Sequence, residues 1–139
     1  MISSTALDYY RCGVEITVYQ AAGGMAFFER LVAAFYRGVA SEPILLSLYP
    51  DQLDLGPAAE RLTLFLAQYW GGPTTYSDQR GHPRLRMRHN PYVIGVRERD
   101  HWLSAMHAAL DEMAPPESLR ERFDAYFAMA AESMINTPG

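Results

Sequence analysis

Apolar residues return at steps of three and four through Met25, Phe28, Val32, Phe35 and Val39, with Leu31 and Tyr36 beside them. The spacing predicts an amphipathic helix over 25–40, entered through Gly23-Gly24. Ser41-Glu42-Pro43 reads as a cap and first turn for a short helix through Leu48, and Gly56-Pro57 opens a longer one running to Trp70. The inward stripe of that longer helix is Ala58, Leu62, Phe65, Leu66 and Tyr69, and Gly71-Gly72-Pro73 stops it. A loop with one or two turns leads on to His89. From Val96 a helical period resumes through Trp102, Leu103, Met106, Leu110 and Met113 until Pro115-Pro116 breaks it. Leu119, Phe123, Tyr126, Phe127, Ala130 and Met134 then mark the buried face of a last helix. No alternating strand pattern of useful length, internal repeat or low-complexity tract interrupts this order, so the class expected is all-α.

Composition narrows the picture. At 139 residues, with 49% apolar and 20% charged side chains, the chain suits one compact domain around one core. A formal charge of −4 speaks against nucleic-acid binding, which usually gathers a basic surplus over a whole face. No segment approaches the roughly 20 apolar residues of a membrane span, and the N-terminus has no basic start followed by an apolar run. A cytoplasmic location without stable membrane insertion is therefore expected. Cys12 stands alone, which rules out an internal disulfide and any cysteine-based zinc or iron-sulfur cluster.

Local chemistry concentrates between Gly81 and His89, the run Gly-His-Pro-Arg-Leu-Arg-Met-Arg-His, closed by Asn90-Pro91. Pro91 disfavours helical geometry at Asn90, so a short helix through Leu85 to Arg88 would finish at or next to His89 and place its imidazole near a helix end. Arg84, Arg86 and Arg88 cannot share one helical face and would fan around whatever His89 approaches. Guanidinium grips carboxylate in a planar, bidentate way, and all 12 cationic side chains of this protein are arginine. An iron porphyrin offers what such a segment suits, a metal for a neutral imidazole and two propionates for cations. Taken by itself the segment reads equally well as a solvated basic loop. His82, His101 and His107 have no zinc-binding spacing, and no Gly-X-Gly-X-X-Gly motif marks a nucleotide cofactor.

The block Phe65-Leu66-Ala67-Gln68-Tyr69-Trp70-Gly71-Gly72-Pro73, then Thr75-Tyr76-Ser77 and Arg80 through His89, closely resembles the group II truncated haemoglobins. The likeness runs from about Val18 to the end and takes in Gly23-Gly24, Phe35-Tyr36, Tyr49-Pro50, Arg61-Leu62, Glu98-Arg99-Asp100 and Trp102. It implies a truncated globin, a two-over-two helical sandwich around haem b, over residues 16–139, preceded by an extension, 1–15, of unknown role. By this resemblance His89 is the axial ligand of the iron. Tyr36, Tyr49 and Trp102 are the hydrogen-bond donors of the distal, ligand-binding side, where Ala58 and Leu62 also lie. Arg61, Arg86, Arg88 and Tyr76 are partners of the propionates. Phe65, Leu66, Leu85, Tyr92, Ile94 and Met106 contact the porphyrin, and plain core packing accounts for each of these six equally well. The function implied is reversible binding of O2 and other diatomic ligands such as NO and CO. Its use would be O2, NO or peroxide chemistry with an external electron donor, or O2 storage, by a monomer or homodimer. The alternative from the residues alone is a cofactor-free helical module that binds a partner protein or an acidic metabolite through the arginine-rich loop.

Overall fold

The structure, a computed structural model, describes residues 9–11, 14–49, 54–81 and 94–136. Strands β1 (Tyr9–Arg11) and β2 (Val14–Ile16) form an antiparallel hairpin that pairs Tyr10 with Glu15. Strands of three residues are too short for a two-residue period to register, and the hydrophobic pattern did not anticipate them. Helices follow: α1 (Val18–Ala22), α2 (Met25–Ala40), α3 (Pro43–Leu46), α4 (Gly56–Tyr69), α5 (Thr75–Arg80), α6 (Val96–Met113) and α7 (Glu117–Ser133). The described residues divide into two compact units, one drawn from Met1–Ala33 and Gly56–Pro83, the other from Ala34–Leu55 and Arg84–Gly139.

In the first unit Thr17 and Gln20 form a capping box that starts α1. The Thr17 hydroxyl accepts from the Gln20 amide, and the Gln20 side chain accepts from the Thr17 amide, both at 3.1 Å. Gly23 and Gly24 then take φ of 121° and 73°, a left-handed path that only glycine enters cheaply, which redirects the chain into α2. Tyr19 fastens α1 to the end of α4: its amide donates to the Trp70 carbonyl at 2.8 Å, and its ring stacks on Phe28 with centroids 5.8 Å apart. Phe27, Phe28, Leu31, Leu66, Ala67, Trp70 and Tyr76 are buried.

Gly72 sits against Tyr19, and a Cβ there would lie 2.6 Å from the tyrosine ring and 2.8 Å from the Ala67 carbonyl oxygen. Since backbone cannot yield to that oxygen, Gly72→Ala is expected to destabilise the fold by about 1–3 kcal/mol, the usual scale of overpacking. Gly38→Ala is the control, because its Cβ would meet Ala105 at an ordinary 3.7 Å. Thermal unfolding of the two variants checks this: a midpoint for Gly72→Ala no lower than that of Gly38→Ala would contradict the close approach.

The second unit starts with the end of α2. Glu42 caps α3, accepting from the Ile44 amide at 3.2 Å, and Pro43 occupies the first turn. Regular helix ends at Leu46, two residues before the expected Leu48. Bonds from the Leu48 amide to Leu45 and from Tyr49 to Leu46, at 3.0 and 3.1 Å, continue it as tighter three-residue turns. At the start of α6 the Glu98 carboxylate accepts from the Gly95 amide at 2.8 Å. That bond, with the neighbouring Arg97 guanidinium, holds the Glu98 carboxyl below its ordinary range. Helix α6 stops at Met113, where Ala114 turns left-handed at φ 48° ahead of the two prolines. Leu119, Phe123, Tyr126, Phe127 and Ala131 form the buried face of α7. Among the described residues no helix is long and apolar enough to cross a membrane.

Candidate functional site

Three polar-headed aromatic residues come together in the second unit. Tyr36, near the end of α2, is buried, and its ring meets that of Tyr49 edge to face with centroids 5.6 Å apart. Phe35 stands beside both helices' aromatic residues: its ring lies 5.0 Å from Tyr36 and 5.2 Å from Trp102 of α6. Phe127 of α7 approaches Trp102 at 5.8 Å. The indole is therefore held between two phenylalanines, which limits its rotation. One turn along α6, Met106 is fully buried. Ile94, 7% exposed, is tied to the chain's far end, because its amide donates to the Asn136 side-chain oxygen at 2.9 Å while the Asn136 amide donates to the Ile94 carbonyl at 2.8 Å.

A second group lies in the first unit along α4. Ala58, Leu62, Phe65 and Tyr69, spaced four, three and four apart, share one helical face and are all half-buried. The buried face of α4 is instead Thr63, Leu66 and Ala67, continued by Trp70 just past its end. The expected inward stripe is thus corrected in part: Leu66 is core, while the other four members are only partly covered by protein. Burial pushes the Tyr69 phenol above its ordinary pKa. Beside this stripe a recess of about 240 Å³ opens between α4 and α5, bordered by Glu60 and Arg61 on one side and Tyr76 and Arg80 on the other. Tyr76 is 5% exposed and packs edge to face on Phe65 at 5.5 Å.

The structure thus brings Tyr36, Tyr49 and Trp102 into one cluster, and Arg61 and Tyr76 to one recess. His89, Arg86, Arg88, Leu85 and Tyr92 lie outside the described residues, as does His82. Of the remaining histidines, His101 Nδ1 is 3.4 Å from the Glu42 carboxylate and His107 Nε2 is 3.8 Å from that of Asp124. Among the described residues no three His, Cys, Asp or Glu side chains gather in a way that could hold a metal ion. Sequence reasoning did not assign Arg80 to the recess or Phe35 and Phe127 to the indole. The only signal was position: Phe35 adjoins Tyr36, and Arg80 falls four residues after Tyr76, on the same face of a helix.

Residues 17–136 match the bacterial-like globin family, and the chain belongs to it. Within that family it is 38% identical over 118 residues to the group 2 truncated haemoglobin YjbI of Bacillus subtilis (strain 168), a match covering 85% of this chain and 87% of that one. Among solved structures it is similar to the thermostable haemoglobin of Thermobifida fusca, 56% identical, with 89% of this chain and 100% of that one covered and a TM-score of 0.86. It also resembles the truncated oxygen-avid haemoglobin of Bacillus subtilis, 38% identical, covering 86% and 98% of the two chains with a TM-score of 0.80. The fold is that of the truncated haemoglobins, and membership implies a haem cofactor and small gaseous ligands such as O2. These matches give no support to a cofactor-free helical module.

Proposed function

We propose that the chain holds haem b through His89 and retains O2 by hydrogen bonds from Tyr36, Tyr49 and Trp102. The observation that supports this reading is the aromatic cluster around Phe35, whose ring lies 5.0 Å from that of Tyr36 and 5.2 Å from that of Trp102, with Tyr49 5.6 Å beyond Tyr36. The residues fit the cofactor chemically. The half-covered apolar stripe of α4, with Leu62 and Phe65, suits the face of a porphyrin, and Arg61 with the Tyr76 phenol suits a carboxylate. Leu66, Leu85, Tyr92, Ile94 and Met106 would add apolar contacts.

Haem, when bound, supplies an iron on which a diatomic gas is held. His89 would contribute a neutral imidazole nitrogen, the form in which histidine binds a metal. Ala58, with only a methyl group, offers no donor, so polar stabilisation of the ligand falls to Tyr36, Tyr49 and Trp102. Each buried hydrogen bond contributes roughly 1 kcal/mol, so two or three together slow release by tens to thousands of times. Slow release suits chemistry on the ligand better than delivery. NO dioxygenation or peroxide reduction, with an external electron donor, is therefore favoured over O2 carriage or storage. The oxygen-avid character of the Bacillus subtilis relative agrees with that preference. Action in the cytoplasm as a monomer or homodimer completes the reading.

A purified sample should carry a Soret band at one haem per chain, and colourless protein that takes up no added haem would refute the assignment. A further expectation concerns the propionate partners. Replacing Arg61, Arg86 and Arg88 together by alanine should speed haem loss to an acceptor protein while leaving ligand spectra nearly intact. Exposed ion pairs are individually worth less than about 1 kcal/mol, so the triple change is the fair test. Unaltered haem transfer would remove these arginines from the site.

A further inference from the structure

Helix α5 lacks a cap of its own. Thr74, at its N-cap position, makes no side-chain bond to a backbone amide, and its hydroxyl donates to Asp78 at 3.3 Å instead. The missing acceptor arrives from α4. Gln68 Oε1 accepts from the Ser77 amide at 2.9 Å, and Gln68 Nε2 donates to Ser77 Oγ at 2.6 Å. Both ends of one carboxamide thus engage a single residue, and both bonds are partly buried. A lone bond would hold only the end of α5. The paired bonds also fix its rotation about the helix axis, because Ser77 must present amide and hydroxyl together.

That rotation matters for the recess. Tyr76 immediately precedes Ser77, and Arg80 follows it by three residues, so the setting of Ser77 determines where the phenol and guanidinium stand relative to Arg61 on α4. Gly71-Gly72-Pro73, which joins the two helices, provides no side chain able to do the same.

We propose that Gln68 is a positioning residue for cofactor retention: it orients α5 so that Tyr76 and Arg80 face Arg61 across a recess that takes a haem propionate. This rests on the reading of Arg61 and Tyr76 as propionate partners. Arg80 joins them through the same recess. The class of ligand follows from the lining, two guanidinium groups and a phenol against the single carboxylate of Glu60, a set left with one net positive charge and so suited to one further carboxylate.

The test follows haem transfer to an excess of acceptor protein from the holoprotein and its Gln68→Met, Ser77→Ala and Arg61→Ala variants. Each is loaded either with haem or with haem dimethyl ester, whose propionates carry no charge. Methionine keeps the length of glutamine and loses both bonds, while Ser77→Ala keeps the amide bond and loses one. Gln68→Met is expected to speed haem loss roughly five- to tenfold, the scale of one or two buried hydrogen bonds, and Ser77→Ala by less. Both accelerations should largely vanish with the dimethyl ester. In the apoprotein, amide hydrogen exchange over 76–80 should quicken in Gln68→Met. Equal acceleration for haem and ester, or none for either, in the Gln68 and Ser77 variants would overturn the proposal. If Arg61→Ala still distinguishes haem from ester, the propionate reading survives that failure. If Arg61→Ala does not distinguish them, the propionate reading fails and this inference with it.

Discussion

Replacing His89 by alanine is expected to abolish stable haem retention, the largest effect of any single substitution in this protein. The expectation follows from the count of bonds to the iron: His89 provides the only one assigned to the protein, and apolar contact with the porphyrin is shared among many residues. The resemblance of the run ending at His89 to the truncated haemoglobin motif carries the assignment, and the segment lies outside the described residues. His101→Ala and His107→Ala serve as controls and should keep the haem. Both imidazoles face carboxylates on other elements, Glu42 and Asp124 respectively, and so have local roles. His82→Ala should also keep it. Haem content after purification and the ferrous spectrum are the measurements. A His89→Ala protein with full haem and an unchanged ferrous spectrum would move the axial ligand elsewhere.

Much of the fold was legible from spacing because long helices repeat their signal. Helix α2 spans the residues expected for it, Met25–Ala40, since its apolar positions recur through four turns and glycines mark its start. The spacing places α4 to within a residue of its end at Tyr69, but not the face that protein covers. That helix carries two apolar faces, and periodicity cannot say which one protein covers: Thr63, Leu66, Ala67 and Trp70 are enclosed, while Ala58, Leu62, Phe65 and Tyr69 remain half-open. The site divides in the same way. Tyr36, Tyr49 and Trp102 were named from the family pattern, and the structure adds that Phe35 and Phe127 brace the indole. No local pattern announces such a pairing. The same holds for Gln68 and Ser77, which are ordinary polar residues in sequence and become a clamp only when two helices meet.

Tyr36→Phe and Trp102→Phe should each release O2 faster than the parent protein, the second large effect. Tyr36 belongs to α2 and Trp102 to α6, and both rings pack on Phe35, so under the proposed function the two donors would approach one ligand from different helices. Phenylalanine preserves most of the packing in both places and removes only the hydroxyl or the indole N–H. The loss of one buried hydrogen bond at roughly 1 kcal/mol corresponds to about a fivefold faster release, more if the ligand draws substantial charge from the donor. Two donors sharing one acceptor do not act independently, so the double variant should depart from the sum of the single changes. Tyr49 touches the Tyr36 ring edge to face, and its own replacement by phenylalanine should therefore change the Tyr36 effect as well.

Stopped-flow dissociation of O2 and CO, measured side by side on the parent protein and Trp102→Phe, tests the central claim most directly. CO carries less negative charge on its outer atom than O2 and accepts a hydrogen bond more weakly. If this chain retains O2 electrostatically, O2 release should accelerate by about fivefold or more, while CO release changes by less than about twofold. Equal acceleration of both gases would show altered access or packing instead, and unchanged O2 release would leave Trp102 an ordinary core residue.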